Sequence, residues 1–448
     1  MFDYEGYFEE SIAQLRGEQR YRIFRELGRR EGRAPRAELT LDGARREVIV
    51  WCGTDYLGMS QHPVVIEGAR AALARCGAGA GGTRNIAGTI DLAVELEAEL
   101  AALHGKPAAL LFSSGYVAND ATLATLAARL PDCVILSDAG NHASMIEGMR
   151  RSGAERRIFA HNDVAALRRE LAQLDPARPR IVAVESLYSM GGDSAPLREL
   201  LTLAREHGAL TYVDETHAVG VHGEQGGGLL AAQGLCGLAD IIQGTLSKGY
   251  GVTGGYVTGS MRSIDFIRSH ASGFIFTTAL PPPVLGAALA SVRHLRCSQE
   301  ERRLLWRRIG ALREALEEAR VPLLPSTAQI LPIPVGDSAR VAAVAERLLR
   351  HHGVYLQPIN YPTVPRGTER LRLTPTPLHD DAMAAALVAA LASEFSSGAA
   401  ASPAEAARLL LDCSGPRGDD RMAQPTEEPN TADRHGQHRQ RRGTAAAA

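Results

Sequence analysis

The chain has 448 residues, 45% apolar and 22% charged, with a net charge of −2 and a pI near 6.7. That balance leaves no broad basic field for nucleic acid or an anionic membrane surface, and no stretch reaches the roughly 20 apolar residues of a membrane span. Six cysteines are scattered without a C-x-x-C or a Cys/His metal spacing, so free thiols in a reducing compartment are expected, not a disulfide framework or a metal site.

Residues 1–48 read as a charged helical arm. The N-terminus, Met1-Phe2-Asp3-Tyr4-Glu5-Gly6, is acidic and lacks the basic and apolar regions of a targeting peptide, which predicts a cytoplasmic location. From 49 to 297, short apolar runs at 108–112, 134–137, 181–185, 210–214 and 241–243 alternate with amphipathic helical stretches. Buried parallel strands joined by helices produce that alternation, so this segment is predicted to be a large, doubly wound, mostly parallel α/β domain. Helices are predicted at 282–297 and 299–320, then strands at 329–335, 354–357 and 371–373 among helices 338–353 and 380–396. Residues 298–397 thus form a smaller α+β domain. Residues 398–448, rich in Ala, Pro, Gly, Asp and Arg, lack apolar periodicity and read as a disordered tail.

Of 49 lysines and arginines, only Lys106 and Lys248 are lysines. A desolvated ammonium can lose its proton and attack a carbonyl, whereas guanidinium stays charged and non-nucleophilic. Lys248 lies in Gly244-Thr245-Leu246-Ser247-Lys248-Gly249-Tyr250-Gly251, a polar loop after an apolar run. Taken alone, a surface lysine and a Schiff-base lysine are equally good readings. Asp214 closes the run 210–214, with His217 three residues on. Singly, these are a helix cap and a loop histidine; at strand ends beside a lysine they describe pyridoxal phosphate chemistry, with a carboxylate on the pyridinium nitrogen and an amine on the aldehyde carbon. Phe112-Ser113-Ser114-Gly115-Tyr116-Val117-Ala118-Asn119 turns from strand to helix through small residues, a cradle for a phosphate at a helix N-terminus. Thr245 and the pair Thr277-Thr278 add hydroxyls, and His142 opens a helix with a flat ring suited to stacking on a pyridine.

At this point the chain resembles the 5-aminolevulinate synthases, in the α-oxoamine synthase group of fold-type I pyridoxal phosphate enzymes. The resemblance runs from about residue 10 to 396. It is carried by Trp51-Cys52-Gly53-Thr54-Asp55-Tyr56-Leu57-Gly58-Met59, by 82–89 (GTRNIAGT), by 141–148 (NHASMIEG), by 272–278 (SGFIFTT) and by 357–372 (QPINYPTVPRGTERLR). It implies condensation of glycine with succinyl-coenzyme A through a pyridoxal phosphate quinonoid, giving 5-aminolevulinate, coenzyme A and carbon dioxide for tetrapyrrole or secondary-metabolite synthesis. Lys248 would be tether and base, Asp214 the partner of the ring nitrogen and His142 the stacking group. Ser189 and His217 would contact the phenolic oxygen. Gly115, Tyr116 and Thr245 would bind phosphate together with Thr277 and Thr278, which in this family reach the neighbouring subunit, so a homodimer is implied. Arg372 would hold the glycine carboxylate, Arg22 the succinyl carboxylate with Thr83, Asn85, Ser137 and Thr363, and Arg156 would stand near the coenzyme A. Thr54 replaces an asparagine that helps hold glycine, Ala93 replaces a histidine, and Gly115 and Thr216 stand where Ala and Val are common. The alternatives are a sister synthase using another acyl thioester and a non-catalytic partner subunit.

Overall fold

The computed structural model describes residues 2–18 and 20–396; the tail expectation for 398–448 lies outside them. Seven strands build the central sheet: β1 (Ala108–Phe112), β2 (Val134–Asp138), β3 (Glu155–Phe159), β4 (Arg180–Glu185), β5 (Leu210–Asp214), β6 (Ile241–Thr245) and β7 (Gly255–Gly259), in the order β1-β7-β6-β5-β4-β2-β3. From β6 to β3 all neighbours are parallel, and β7 runs antiparallel to both β6 and β1. Successive side chains point to opposite faces. Val134, Leu136, Val182 and Val213 pack with Leu167, Leu171, Leu200 and Leu201 of helices Val164–Ala172 and Leu197–Glu206. Ile135, Ile181 and Tyr212 pack with Leu123, Met145 and Met149 of helices Gly115–Arg129 and Ala143–Ser152. A sheet covered on both faces favours apolar residues on both sides of a strand, which is why most of these strands stand out as runs of consecutive apolar residues.

Two strands carry no such run. β3 (ERRIF) lies at the sheet edge with mostly exposed side chains, and β7 (GYVTG) is buried but bounded by glycines and interrupted by Thr258.

Among the described residues the arm is helical only over Tyr4–Gly17, which corrects the reading of 1–48 as a helical arm. Strands Leu27–Gly28, Arg36–Leu41 and Ala44–Val50 follow. Ala37, Leu39 and Leu41 are buried in alternation, a period of two that does not suit a helix. The hairpin turns at Asp42-Gly43, both with positive φ (50° and 78°), as a two-residue turn between twisted strands requires.

Val354–Tyr355 pairs in parallel with Ile49 and Val50 of the arm. The remaining C-terminal strands form a separate antiparallel sheet, with Arg370–Leu373 between Leu331–Pro334 and Pro358–Ile359. Helices Pro282–Cys297, Glu300–Glu318, Ser338–His352 and Asp381–Ser396 lie where the sequence predicts them. Among the described residues no helix is long and apolar enough to cross a membrane.

Candidate active site

Parallel strands end at one edge, and ligands bind beyond their carboxyl ends. Register sets Glu185 of β4 beside Asp214 of β5, and Asp214 beside Gln243 of β6. Three residues past β6, Lys248 Nζ lies 3.0 Å from His217 Nε2, whose Nδ1 is 2.8 Å from the Tyr56 hydroxyl. Burial brings the Lys248 amine down to about 8 against the opposing pull of Asp214, with Arg372 adding to the fall. Burial, and then the charges of Lys248 and Arg372, hold His217 well below the usual histidine value. The imidazole is therefore neutral, and the lysine can shed its proton near neutral pH. Lys106, by contrast, donates to the Ala239 carbonyl.

Asp214 is gripped on both oxygens. Oδ1 accepts from Thr216 N at 2.7 Å and Oδ2 from Asn119 Nδ2 at 2.6 Å. Asn119 is fixed in turn by the Tyr212 hydroxyl, which donates to its Oδ1 at 2.7 Å, and by its Nδ2 contact with Ser144 Oγ at 3.0 Å. Ser144 Oγ also lies 2.8 Å from Nδ1 of His142, the residue that caps helix Ala143–Ser152. One chain of hydrogen bonds thus runs from Tyr212 to His142. Desolvation and then Lys248 lower the His142 pKa, with Asp214 opposing.

The Ser-Ser-Gly turn is built as expected. Ser114 caps helix Gly115–Arg129 by accepting from Val117 N at 3.1 Å, which leaves a helix N-terminus facing the site. The backbone is tightly hemmed: a Cβ on Gly115 would lie 3.2 Å from the Thr245 side chain, and one on Gly255 would lie 2.4 Å from the Ser114 carbonyl. Thr245 Oγ1 donates to the Gly254 carbonyl at 3.0 Å and meets Ser247 Oγ at 2.8 Å. Arg372 Nη1 donates to the Ser189 carbonyl at 3.2 Å, while its buried Nε has no partner. These groups fit pyridoxal phosphate with an amino acid: a tunable amine, a buried carboxylate, an anion cradle, and a guanidinium with a donor to spare.

Lys248, Asp214, His217, His142, Gly115, Thr245, Ser189 and Arg372 are brought together in this way, and Tyr116 is half exposed on the same helix, edge-on to His142. Ser137 is buried at the end of β2, accepting from Asn141 Nδ2 at 2.9 Å. Thr54 lines a cleft with Arg29, Asp55 and Ser247. Arg22 donates to Thr363 Oγ1 at 3.1 Å in a different cleft, walled by Arg20, Tyr361 and Asn360. Thr83 donates to Asn85 Oδ1 at 2.6 Å. Thr277 and Thr278 line a pocket with Arg84 and Ser113, and Thr277 Oγ1 donates to the Gly273 carbonyl at 2.7 Å. Arg156 is exposed on the edge strand β3.

Sequence reasoning assigned no role to Asn119, Tyr56, Tyr212 and Glu185. Asn119 sits four residues after Gly115 on the phosphate helix, so its side chain shares that helix face, a spacing that could have flagged it. Tyr56 lies in the Trp51–Met59 motif without any local mark of its partner. Glu185 ends a strand one ladder over from Asp214, which only the register reveals; burial and Asp214 push its carboxyl well above the usual range.

The profile of the family "Aminotransferase class I and II" matches residues 46–391. A 5-aminolevulinate synthase of Rhizobium meliloti (strain 1021) is 54% identical over 395 residues, 88% of this chain and 98% of that one. 5-Aminolevulinate synthase 1 of Cereibacter sphaeroides is 51% identical over 390 residues, 87% of this chain and 96% of that one. Among solved structures, a Sphingomonas wittichii serine palmitoyltransferase superposes with a TM-score of 0.80 at 29% identity, covering 88% of this chain and 97% of that one. A structure of SPT with PLP gives 0.81 at 31% identity, covering 88% and 99%. With a lysine, an aspartate and a helix N-terminus converging at the strand ends, and with half of its residues shared across the catalytic length of these relatives, the chain belongs to the 5-aminolevulinate synthases of the class I and II aminotransferase family.

Proposed function

We propose that the chain condenses glycine with succinyl-coenzyme A to 5-aminolevulinate, coenzyme A and carbon dioxide, with pyridoxal phosphate held on Lys248. The observation that carries this is the Lys248–His217–Tyr56 chain beside the doubly held Asp214. Bound there, the cofactor supplies the electron sink that makes the glycine α-carbon acidic. Lys248 Nζ takes and returns that proton, a task suited to an amine whose pKa stands at about 8. Asp214 would pair with the ring nitrogen, His142 would cover the ring, and His217 and Ser189 would face its phenolic oxygen. Gly115, Tyr116 and Thr245 hold the phosphate.

Arg372 binds the glycine carboxylate through its Nε and orients the α-carbon. Arg22 and Thr363, with Thr83, Asn85 and Ser137, read the distal carboxylate of the succinyl group; Arg156 accompanies the coenzyme A, and Thr54 stands at the glycine end. In one chain the Arg22–Thr363 pair and the Thr277–Thr278 pair line pockets that do not include Lys248. Phe276, next to Thr277, and Ile86, next to Asn85, are 80% and 83% exposed. A homodimer sharing its sites, with Thr277 and Thr278 reaching a second copy, accounts for both facts.

The test is coenzyme A release by the cofactor-loaded protein given glycine with succinyl-, acetyl- or longer acyl-coenzyme A, with the amine product identified by mass. Release confined to succinyl-coenzyme A with 5-aminolevulinate formed is expected. Release with another thioester would make the protein a sister synthase, and none at all would leave it a non-catalytic partner.

A further inference from the structure

Beside the cleft, His161 bridges two carboxylates. Its Nδ1 lies 2.7 Å from Asp138 Oδ1 and its Nε2 lies 2.8 Å from Asp193 Oδ2. Asp138 ends β2 with a fully buried side chain and spends its remaining capacity on backbone: Oδ1 accepts from Gly140 N at 2.7 Å and Oδ2 from Asn162 N at 2.8 Å. Asp193 lies on the loop after β4, and its Oδ2 also accepts from Asn162 Nδ2 at 2.9 Å. That loop is closed on itself, Tyr188 N donating to the Asp193 carbonyl at 2.9 Å and Leu187 bridging to Ser194. The fit is close on every side. The imidazole stands edge-on to the Tyr188 ring with centroids 4.3 Å apart, and a Cβ on Gly140 would lie 2.7 Å from its Nδ1.

Two loops are thereby fixed to one ring. The first, 139–142, leads directly into His142. The second, 186–194, carries Ser189 and Met190, whose carbonyls accept from Arg372 and Arg370 at 3.2 and 3.1 Å.

We propose that His161 is a positioning residue, which locks the loop bearing His142 to the loop bearing Ser189 and so sets where the ring-covering imidazole stands relative to the carboxylate-binding Arg372. The proposal rests on the reading of the cleft given above. Burial works against a charge on this ring, but hydrogen bonds to Asp138 and Asp193, and the charges of both, raise it to about 10. The bridge therefore keeps its proton under ordinary assay conditions, and a cation between two carboxylates relieves a repulsion that an uncharged side chain would leave.

His161→Gln and Asp193→Asn test this in the full, cofactor-loaded chain. Hydrogen exchange is followed in peptides covering 138–145 and 186–195, alongside visible circular dichroism of the bound pyridoxal phosphate and the KM values of both substrates. In H161Q both peptides are expected to exchange faster together, the dichroic band to change, and the KM for glycine to rise about tenfold while that for succinyl-coenzyme A moves little. In D193N, which leaves the Asp138 bond intact, faster exchange is expected in 186–195 alone. Unchanged exchange, dichroism and glycine KM in H161Q would overturn the proposal and leave a local ion pair with no bearing on the cleft. Should H161Q fail to fold, D193N decides: equal exchange in the two peptides refutes the clamp. A wild-type protein without turnover would sink the proposed function, while the exchange and dichroism measurements would still judge the clamp.

Discussion

Replacing Gly255 by alanine is expected to damage the phosphate cradle through a strand that touches no ligand. Gly255 opens β7, and its Cα lies flat against the Ser114–Gly115 peptide. An added Cβ would stand 2.4 Å from the Ser114 carbonyl carbon and oxygen and 2.5 Å from Gly115 N, where ordinary contact begins at 3.4 Å. The peptide must therefore retreat by about 1 Å, and Gly115 is already held close to the Thr245 side chain. Overpacking of this kind costs about 1–3 kcal/mol of stability. Loss of one N–H bond to the charged phosphate costs about 1.5–3 kcal/mol, roughly 10- to 100-fold in affinity. The assay is a titration of the cofactor-free protein with pyridoxal phosphate by absorbance, paired with a urea unfolding midpoint. A dissociation constant within twofold of wild type, at an unchanged midpoint, would refute the argument. Gly310→Ala is the control: it lies inside helix Glu300–Glu318 with nothing within 4 Å of the added methyl, and should stabilise by about 0.5–1 kcal/mol.

Three further outcomes follow from the same geometry. The Lys248 amine titrates at about 8 in the folded chain against an ordinary 10.5, so the folded state binds fewer protons between those values and stability without cofactor should rise with pH from about 8 to about 10.5. Urea midpoints should show that rise in wild type and its loss in Lys248→Ala. Tyr56→Phe strips the buried His217 Nδ1 of its partner, which should cost about 1–3 kcal/mol in the unfolding midpoint and lower kcat, leaving the KM for succinyl-coenzyme A within about twofold. Thr54→Asn places an amide in the cleft beside Asp55 and Ser247 and should lower the KM for glycine by about fivefold, one hydrogen bond's worth; an unchanged value would show that the threonine already serves.

The sequence carried the central sheet well because burial on both faces gives its strands consecutive apolar residues, such as Val134-Ile135-Leu136 in β2 and Ile181-Val182-Ala183-Val184 in β4. It carried Asp214 and Lys248 for a related reason: chemistry at strand ends breaks an apolar run with a charged or polar residue at a definable place. The arm misled because its charges dominate the composition, while the alternation of Ala37, Leu39 and Leu41 and the turn at Asp42-Gly43 are a local, period-two signal. The roles of Asn119, Tyr56 and His161 were harder to read for another reason. Each acts through a partner distant in the chain, 95 residues away for Asn119 and Asp214, 161 for Tyr56 and His217, and 32 for His161 and Asp193. Only the ladder and the helix packing place such pairs side by side.

The charges at the strand ends show what this arrangement prepares for. Glu185 and Asp214 are register neighbours on adjacent parallel strands, and two ionised carboxylates could not share that buried edge cheaply. The fold resolves the conflict unequally. Asp214 receives two strong N–H donors, whereas Glu185 has an oxygen with no partner and a carboxyl pushed well above the usual range by burial first and Asp214 second. On the cationic side, burial lowers Lys248 to about 8, where its proton is readily given up, and with the Lys248 charge it keeps His217 neutral, so Arg372 holds the positive charge that does not titrate. What remains is one carboxylate, one guanidinium and a helix N-terminus, each fixed by backbone or buried side chains before anything binds. A pyridinium nitrogen, a substrate carboxylate and a phosphate match those three in sign, and electrostatic groups held in place beforehand need no rearrangement when charge develops between them.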